Sequence, residues 1–185
     1  MYEELSKNEL INLIKLKDDE IIILKDKIRL MDECSNRDFL TGLRNRNSAD
    51  EGHANASSII LCDVDNFKLI NDLYGHNVGD LVLKEISNVL MSCVRDGDYV
   101  IRWGGEEFLI FASCDLKGAC KLAQRIREKV KDISISYGDV SFGNISMSFG
   151  VSSIESSLLT DVENADKALY YSKKNGKDMV TVFKL

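Results

Sequence analysis

The run at 58–62 (SIILC) constrains this chain more than any other feature, because it is apolar without alternation and stops abruptly at Asp63-Val64-Asp65. A half-exposed strand alternates apolar and polar side chains, so an uninterrupted run needs cover on both faces. That predicts a central strand with helices packed on either side. The segments 65–74 and 79–94 read as helices, the second aligning Val82, Ile86, Val89, Leu90 and Cys93. The segments 99–103 and 108–111 read as strands joined through Gly104-Gly105, and 116–130 as a helix with Ala119, Leu122, Ala123, Ile126 and Val130 on one face. Strands at 133–137 and 145–151, a helix at 161–174 and a last strand at 179–183 complete a mixed sheet covered by helices, an α/β (α+β) class.

Residues 1–36 differ. They contain no glycine and are dense in Lys, Glu, Asp, Ile and Leu. With position a at Ile14, a is Lys7, Ile14, Ile21 and Ile28, and d is Leu10, Lys17, Leu24 and Met31. Ile at a with Leu at d favours parallel two-stranded coils. Glu20 then faces Lys25 of a partner helix, and Lys27 faces Asp32. The division expected is a helical stalk over 1–36 that forms a homodimer, and a globular domain over 37–185. Leu16, Ile23 and Leu30 at c widen the stripe, which leaves packing on another surface open.

Thirty acidic against 24 basic residues give a net charge of −6, which makes nucleic acid and anionic bilayers unfavourable partners. No apolar run approaches the ~18–20 residues that span a membrane. The N-terminus, MYEELSKNELI, is too acidic and polar for a signal peptide. The five cysteines, 34, 62, 93, 114 and 120, include no CxxC and read as buried thiols of a cytoplasmic protein. Proline is absent, so glycine does most of the punctuation.

Three clusters carry chemistry. Asp63 and Asp65 bracket the end of a buried strand, where carboxylates serve as hard ligands for magnesium or as a helix N-cap. Asn66-Phe67-Lys68 then opens a helix whose free amides suit phosphate. Gly104-Gly105-Glu106-Glu107-Phe108 is a tight turn that presents two carboxylates, or simply an acidic hairpin. Asn71 and Asp80, around Gly75-His76 and Gly79, offer acceptors and donors that match a guanine edge, or cap two helices.

These segments resemble, in order and spacing, the GGDEF family of diguanylate cyclases in its GGEEF form. The matching stretches are DFLTGLRNR (38–46), DVDNFKLINDLYGHNVGD (63–80), RWGGEEF (102–108), SMSFGVS (146–152) and ADKALYYSKKNGKD (165–178). The resemblance implies a palm-like, mostly antiparallel central sheet wrapped by helices. It implies GTP as substrate, cyclic di-GMP as product and two Mg²⁺ (or Mn²⁺) per active site. Asp63, the Val64 carbonyl and Glu107 match the metal ligands, and Glu106 the residue suggested to help deprotonate the attacking 3′-hydroxyl. Asn71 and Asp80 match the guanine readers, with Leu40 in the base pocket. Asn66 and Phe67 amides with Lys68, Lys173 and Lys177 match the phosphate contacts.

Arg95 and Asp98 form an RxxD five residues ahead of the GGEEF, matching the family's product-inhibition site, with Arg125 as a candidate second arm. Three departures accompany the match. The segment 47–57 is short and polar for the family's first helix. Lys177 stands where the family has Arg, and Asn66 where an aromatic is common. A nucleotide sensor without catalysis, or a dimerisation module, are the competing readings. Incubation with GTP and Mg²⁺ separates them.

Overall fold

The structure is a computed structural model that describes residues 7–138 and 140–184. The chain divides into two compact units, one ending at Arg37 and one beginning at Asp38. The first is a single helix, α1 (Lys7–Ser35), about 44 Å long at 1.5 Å per residue. Leu10, Ile14, Ile21, Leu24, Ile28 and Met31 are all exposed on it. Glu20, assigned above to a partner's Lys25, pairs with Lys17 of its own helix at 2.6 Å. The side chains of Lys7, Leu30, Asp32 and Cys34, used in the heptad and cysteine readings, lie outside the described residues, as do residues 1–6 of the stalk.

The second unit runs β1 (Arg44–Asn45), a 3₁₀ turn (Arg46–Ser48), α2 (Ala49–Ala54), β2 (Ser58–Val64), α3 (Phe67–Tyr74), α4 (His76–Cys93), β3 (Tyr99–Arg102), β4 (Glu107–Ala112), α5 (Leu116–Lys131), β5 (Ile135–Tyr137), β6 (Val140–Phe142), β7 (Met147–Ser153), α6 (Leu158–Lys174) and β8 (Val180–Val182). The sheet order is β1-β3-β4-β2-β7-β8. The four central strands are antiparallel, and β1 and β8 join the edges in parallel. The class is therefore the mostly antiparallel α+β sheet expected. β2 is buried along its whole length. Ile60, Cys62 and Val64 join a core with α4 and α5, while Ile59 and Leu61 join one with α6 and α2. Each such Ile or Leu contributes roughly 1.5–3 kcal/mol on full burial.

Two expectations change, and one, the curtailed helix in 47–57, holds. The strand foreseen at 133–137 shortens to β5 and pairs only with β6, in a separate two-stranded sheet. The segment 47–57 keeps a helix of six residues, α2. Cys62 and Cys93 are buried, but Cys114 and Cys120 are only half-buried. No helix among the described residues is long and apolar enough to cross a membrane.

One glycine sets how closely α6 approaches the sheet. A Cβ at Gly150 in β7 would overlap the Ala165 carbonyl and the Leu169 amide of α6. The bare Cα lets the helix backbone rest on the strand, and so fixes where the end of α6 arrives.

Candidate active site

Everything converges on the end of β2. Asp63 sits in register with Glu107 of β4 on one side and Ser148 of β7 on the other. Directly opposed residues of an antiparallel pair hold their Cβ atoms ~4.5–5.5 Å apart on the same face. The fold therefore aims the Asp63 and Glu107 carboxylates into one space. The Val64 amide donates to the Glu106 carbonyl at 3.2 Å, which ties the glycine turn to β2. Lys173, in the last turn of α6, reaches Asp63 Oδ2 with its Nζ at 2.7 Å.

The charges are in conflict. Burial pushes the Asp63 carboxyl above the usual range, and Lys173 only partly offsets it. Burial and then the Asp63 charge push Glu106 and Glu107 up in the same direction, with Lys173 opposing. The two glutamates are neighbours in sequence, and both feel the same aspartate and the same lysine. Such a set favours a bound cation. Among the described residues no group of three or more His, Cys, Asp or Glu closes around a metal by itself. Magnesium fits this arrangement, since it is commonly held by one or two carboxylates with substrate phosphates.

Asp65 adds its charge to the pressure on Asp63, but its own oxygens are tied up in hydrogen bonds. Its oxygens accept from Ser146 Oγ (2.8 Å), Ser148 Oγ (2.7 Å) and the Asp178 amide (3.0 Å). It locks β2, β7 and the 175–178 loop together, and the N-cap position of α3 falls to Asn66 instead. Asn66 is left-handed at φ 58°. The first amides of α3 have no acceptor within the helix. Lys177 Nζ donates to Asn66 Oδ1 at 2.6 Å, and Lys68 is exposed on the same first turn. The fold thus brings Asn66, Phe67, Lys68 and Lys177 to one turn, with Lys173 held nearby on Asp63, although Phe67 itself is buried.

Asn71 of α3 lies against Gly79 of α4, where a Cβ would overlap its Oδ1. Asp80 follows, exposed to solvent. Leu40 sits half-buried against the larger core in the turn before β1. That turn is held by a pair the sequence reading missed. Arg102 Nη1 donates to both Asp38 oxygens at 2.9 and 3.0 Å, and its Nη2 donates to the Gly105 carbonyl at 2.8 Å. Burial raises the Asp38 carboxyl, but Thr41 and Arg102 outweigh it and hold the group low. Arg46, stacked 4.3 Å over the Trp103 ring, was also missed, and its charge reaches Glu107. These partners lie far apart in sequence, so no local spacing announces them.

The RxxD segment divides. Arg95 is 63% exposed, whereas the Asp98 side chain is 3% exposed. Asp98 accepts from the Ser113 amide (2.9 Å), Ser113 Oγ (3.0 Å) and the Arg95 amide (3.2 Å). Its carboxylate builds the turn. Arg125 Nη2 donates to the Cys93 carbonyl at 2.6 Å, at the end of α4.

Residues 35–179 match the family described as "Diguanylate cyclase, GGDEF domain". Diguanylate cyclase A of Treponema denticola is 44% identical over 131 residues, 69% of this chain and 35% of that protein. The chain thus spans about a third of the length of that curated relative. Among solved structures, the coiled coil and GGDEF domain of DgcB from Caulobacter crescentus, in complex with c-di-GMP, is 27% identical with a TM-score of 0.79, covering 94% of this chain and 98% of that one. Diguanylate cyclase SiaD of Pseudomonas aeruginosa, in complex with its activator SiaC, is 31% identical with a TM-score of 0.77, covering 95% and 72%.

Proposed function

This chain belongs to the GGDEF family of diguanylate cyclases, and from that premise we propose that it condenses two GTP into cyclic di-GMP with release of two pyrophosphates. The observation that carries the reading is Asp63 directly opposite Glu107, both raised by burial and sharing one lysine. In each half-reaction a 3′-oxygen bonds to the α-phosphorus of the other nucleotide, the α–β phosphoanhydride bond breaks, and the hydroxyl proton leaves. Asp63, Glu107 and the Val64 carbonyl would hold two divalent cations. When bound, these supply acidity to the hydroxyl and neutralise the triphosphate and its leaving group. Glu106, raised by burial and the Asp63 charge, accepts the hydroxyl proton or orients the group that does.

Lys173, Lys177, Lys68 and the Asn66 and Phe67 amides receive the phosphates. Asn71 and Asp80 read the guanine against Leu40. One site holds one nucleotide while the product joins two, so two sites face each other across a two-fold axis. The exposed apolar stripe of α1 supports a parallel homodimer that raises the local concentration of the two heads. Arg95 and Arg125 form the arms of a product-inhibition site, with Asp98 shaping its turn. A reaction that consumes GTP belongs in the cytoplasm.

The test is incubation of the purified chain with GTP and Mg²⁺ at several protein concentrations. Cyclic dinucleotide and pyrophosphate should appear, faster per molecule at higher concentration, and Glu107→Gln should abolish them. Binding of GTP without turnover would leave a nucleotide sensor.

A further inference from the structure

We propose that Asp178, clamped by Arg127 of α5, is a positioning residue that sets the Lys177 ammonium for the substrate's phosphates. The inference rests on reading Lys177 as a phosphate contact. Backbone strain marks the segment. Gly176, Lys177 and Asp178 have φ of 114°, 62° and 45°. Two successive non-glycine residues in the left-handed region are costly, and surrounding contacts must hold them there.

The contacts are specific. The Lys177 amide donates to the Ser172 carbonyl at 3.0 Å, and the Asp178 amide to Asp65 Oδ2 at 3.0 Å. Arg127 Nε donates to the Asp178 carbonyl at 2.6 Å and lies 2.9 Å from Oδ1. Its Nη2 donates to Oδ2 at 3.4 Å, and Lys131 Nζ lies 2.6 Å from the same oxygen. Asp178 Oδ1 is buried and receives no hydrogen bond, so charge holds it. On its other side the loop delivers Lys177 Nζ to Asn66 Oδ1 at 2.6 Å. The ammonium is therefore placed from below by a carboxylate that α5 anchors.

The charges agree with this role. An unpaired carboxylate beside incoming phosphates would repel them. Arg127 and Lys131 put two positive charges on Asp178 and remove that penalty. An arginine suits the task because its planar fork spans the carbonyl and the carboxylate together, which a lysine cannot do. Neither Arg127 nor Asp178 has to touch nucleotide for this to matter.

The test is steady-state kinetics with GTP and Mg²⁺ on the full chain, with melting curves for each variant. Asp178→Ala should raise KM about tenfold, the equivalent of one lost hydrogen bond to a charged group. It should leave kcat within about twofold, the signature of lost binding and not of lost chemistry. Asp178→Asn, which keeps the shape and one acceptor but not the charge, should recover only part of the loss. Arg127→Lys should not recover what Arg127→Ala loses. In a Lys177→Ala background, Asp178→Ala should add nothing to KM. A full additional rise there, or a fall in kcat at constant KM, overturns the proposal. An unchanged KM in Lys177→Ala alone overturns the phosphate reading beneath it, and the proposal with it.

Discussion

Asp63→Asn separates a carboxylate kept for a cation from one kept for the fold. The side chain is 8% exposed, and its one cationic contact, Lys173, is 35% exposed. An ion pair open to solvent on one side is worth about 1 kcal/mol or less. Against it stand the burial of the charge and the repulsion of Asp65, Glu106 and Glu107. Leaving a buried polar group short of partners costs about 1–3 kcal/mol. The balance favours a neutral amide by about 1 kcal/mol, which raises Tm by roughly 2–4 °C in a chain of this size. The same change should lower kcat at least about a hundredfold, beyond what losing a group outside a metal's ligand shell costs. The assay is a melting curve without divalent cations, beside dinucleotide formation with Mg²⁺.

The pH dependence gives a second reading of the same balance. Asp63, Glu106 and Glu107 have raised folded-state values, so their contribution is full below the ordinary carboxylate range and lost as pH rises through the raised values. Asp38 runs the other way, stabilising above the ordinary aspartate value and losing that contribution as pH falls through its lowered one. The cation-free wild type should therefore gain Tm on acidification from neutral pH before losing it at lower pH. Asp63→Asn should flatten that gain. A lower Tm in the variant would refute the argument, because it would show that Lys173 holds Asp63 as a structural pair.

Four further outcomes can be measured. Gly150→Ala forces α6 off β7, so it should destabilise by about 1–3 kcal/mol in a denaturant melt, the usual cost of overpacking, and also raise KM by displacing Lys173. Asp80→Ser should relax the choice of GTP over ATP in a competition assay, and unchanged discrimination would count against Asp80 as a base reader. Arg95→Ala should raise the product concentration needed to halve the rate without changing Tm. Asp98→Ala should instead lower stability by about 1–3 kcal/mol, because the Ser113 amide and hydroxyl lose their acceptor.

The sequence discloses what is periodic or continuous. The 58–62 run found β2, and the one-faced patterns at 79–94 and 116–130 found α4 and α5, with boundaries shifted by one to three residues. Strands of two or three residues carry no period, so β1 and β6 were missed and β5 was placed in the wrong sheet. At the site, a strand end and a glycine turn made the carboxylates candidates, and the ordered resemblance singled them out. The side chains that hold them were not legible as such. Lys173 meets Asp63 only because Gly150 admits α6, and Arg102 meets Asp38 across 64 positions. Asp98 was singled out by the resemblance to a product-inhibition motif, and the Ser113 contacts add that its carboxylate holds the turn.

Local rules break at one end of the sheet and hold elsewhere. The non-glycine residues with positive φ among those described are Asn66, Asn144, Lys177 and Asp178. Three of them sit at the β2–α3 turn or touch it through Asp65 and Lys177. Asn144 lies two residues before Ser146, which also binds Asp65. The three carboxylates raised by burial and mutual repulsion stand beside the same turn. A chain selected for stability alone would relax this strain with glycine and neutralise these acids, since each is locally unfavourable. Two apolar cores on either face of β2 supply the stability that tolerates them. Strain and charge conflict are thus gathered at one strand end, against consistent packing in the two cores, and they agree with the site proposed from the motifs. If the proposed function holds, Lys173, which pairs with Asp63 in the free chain, turns to phosphate once another cation takes its place.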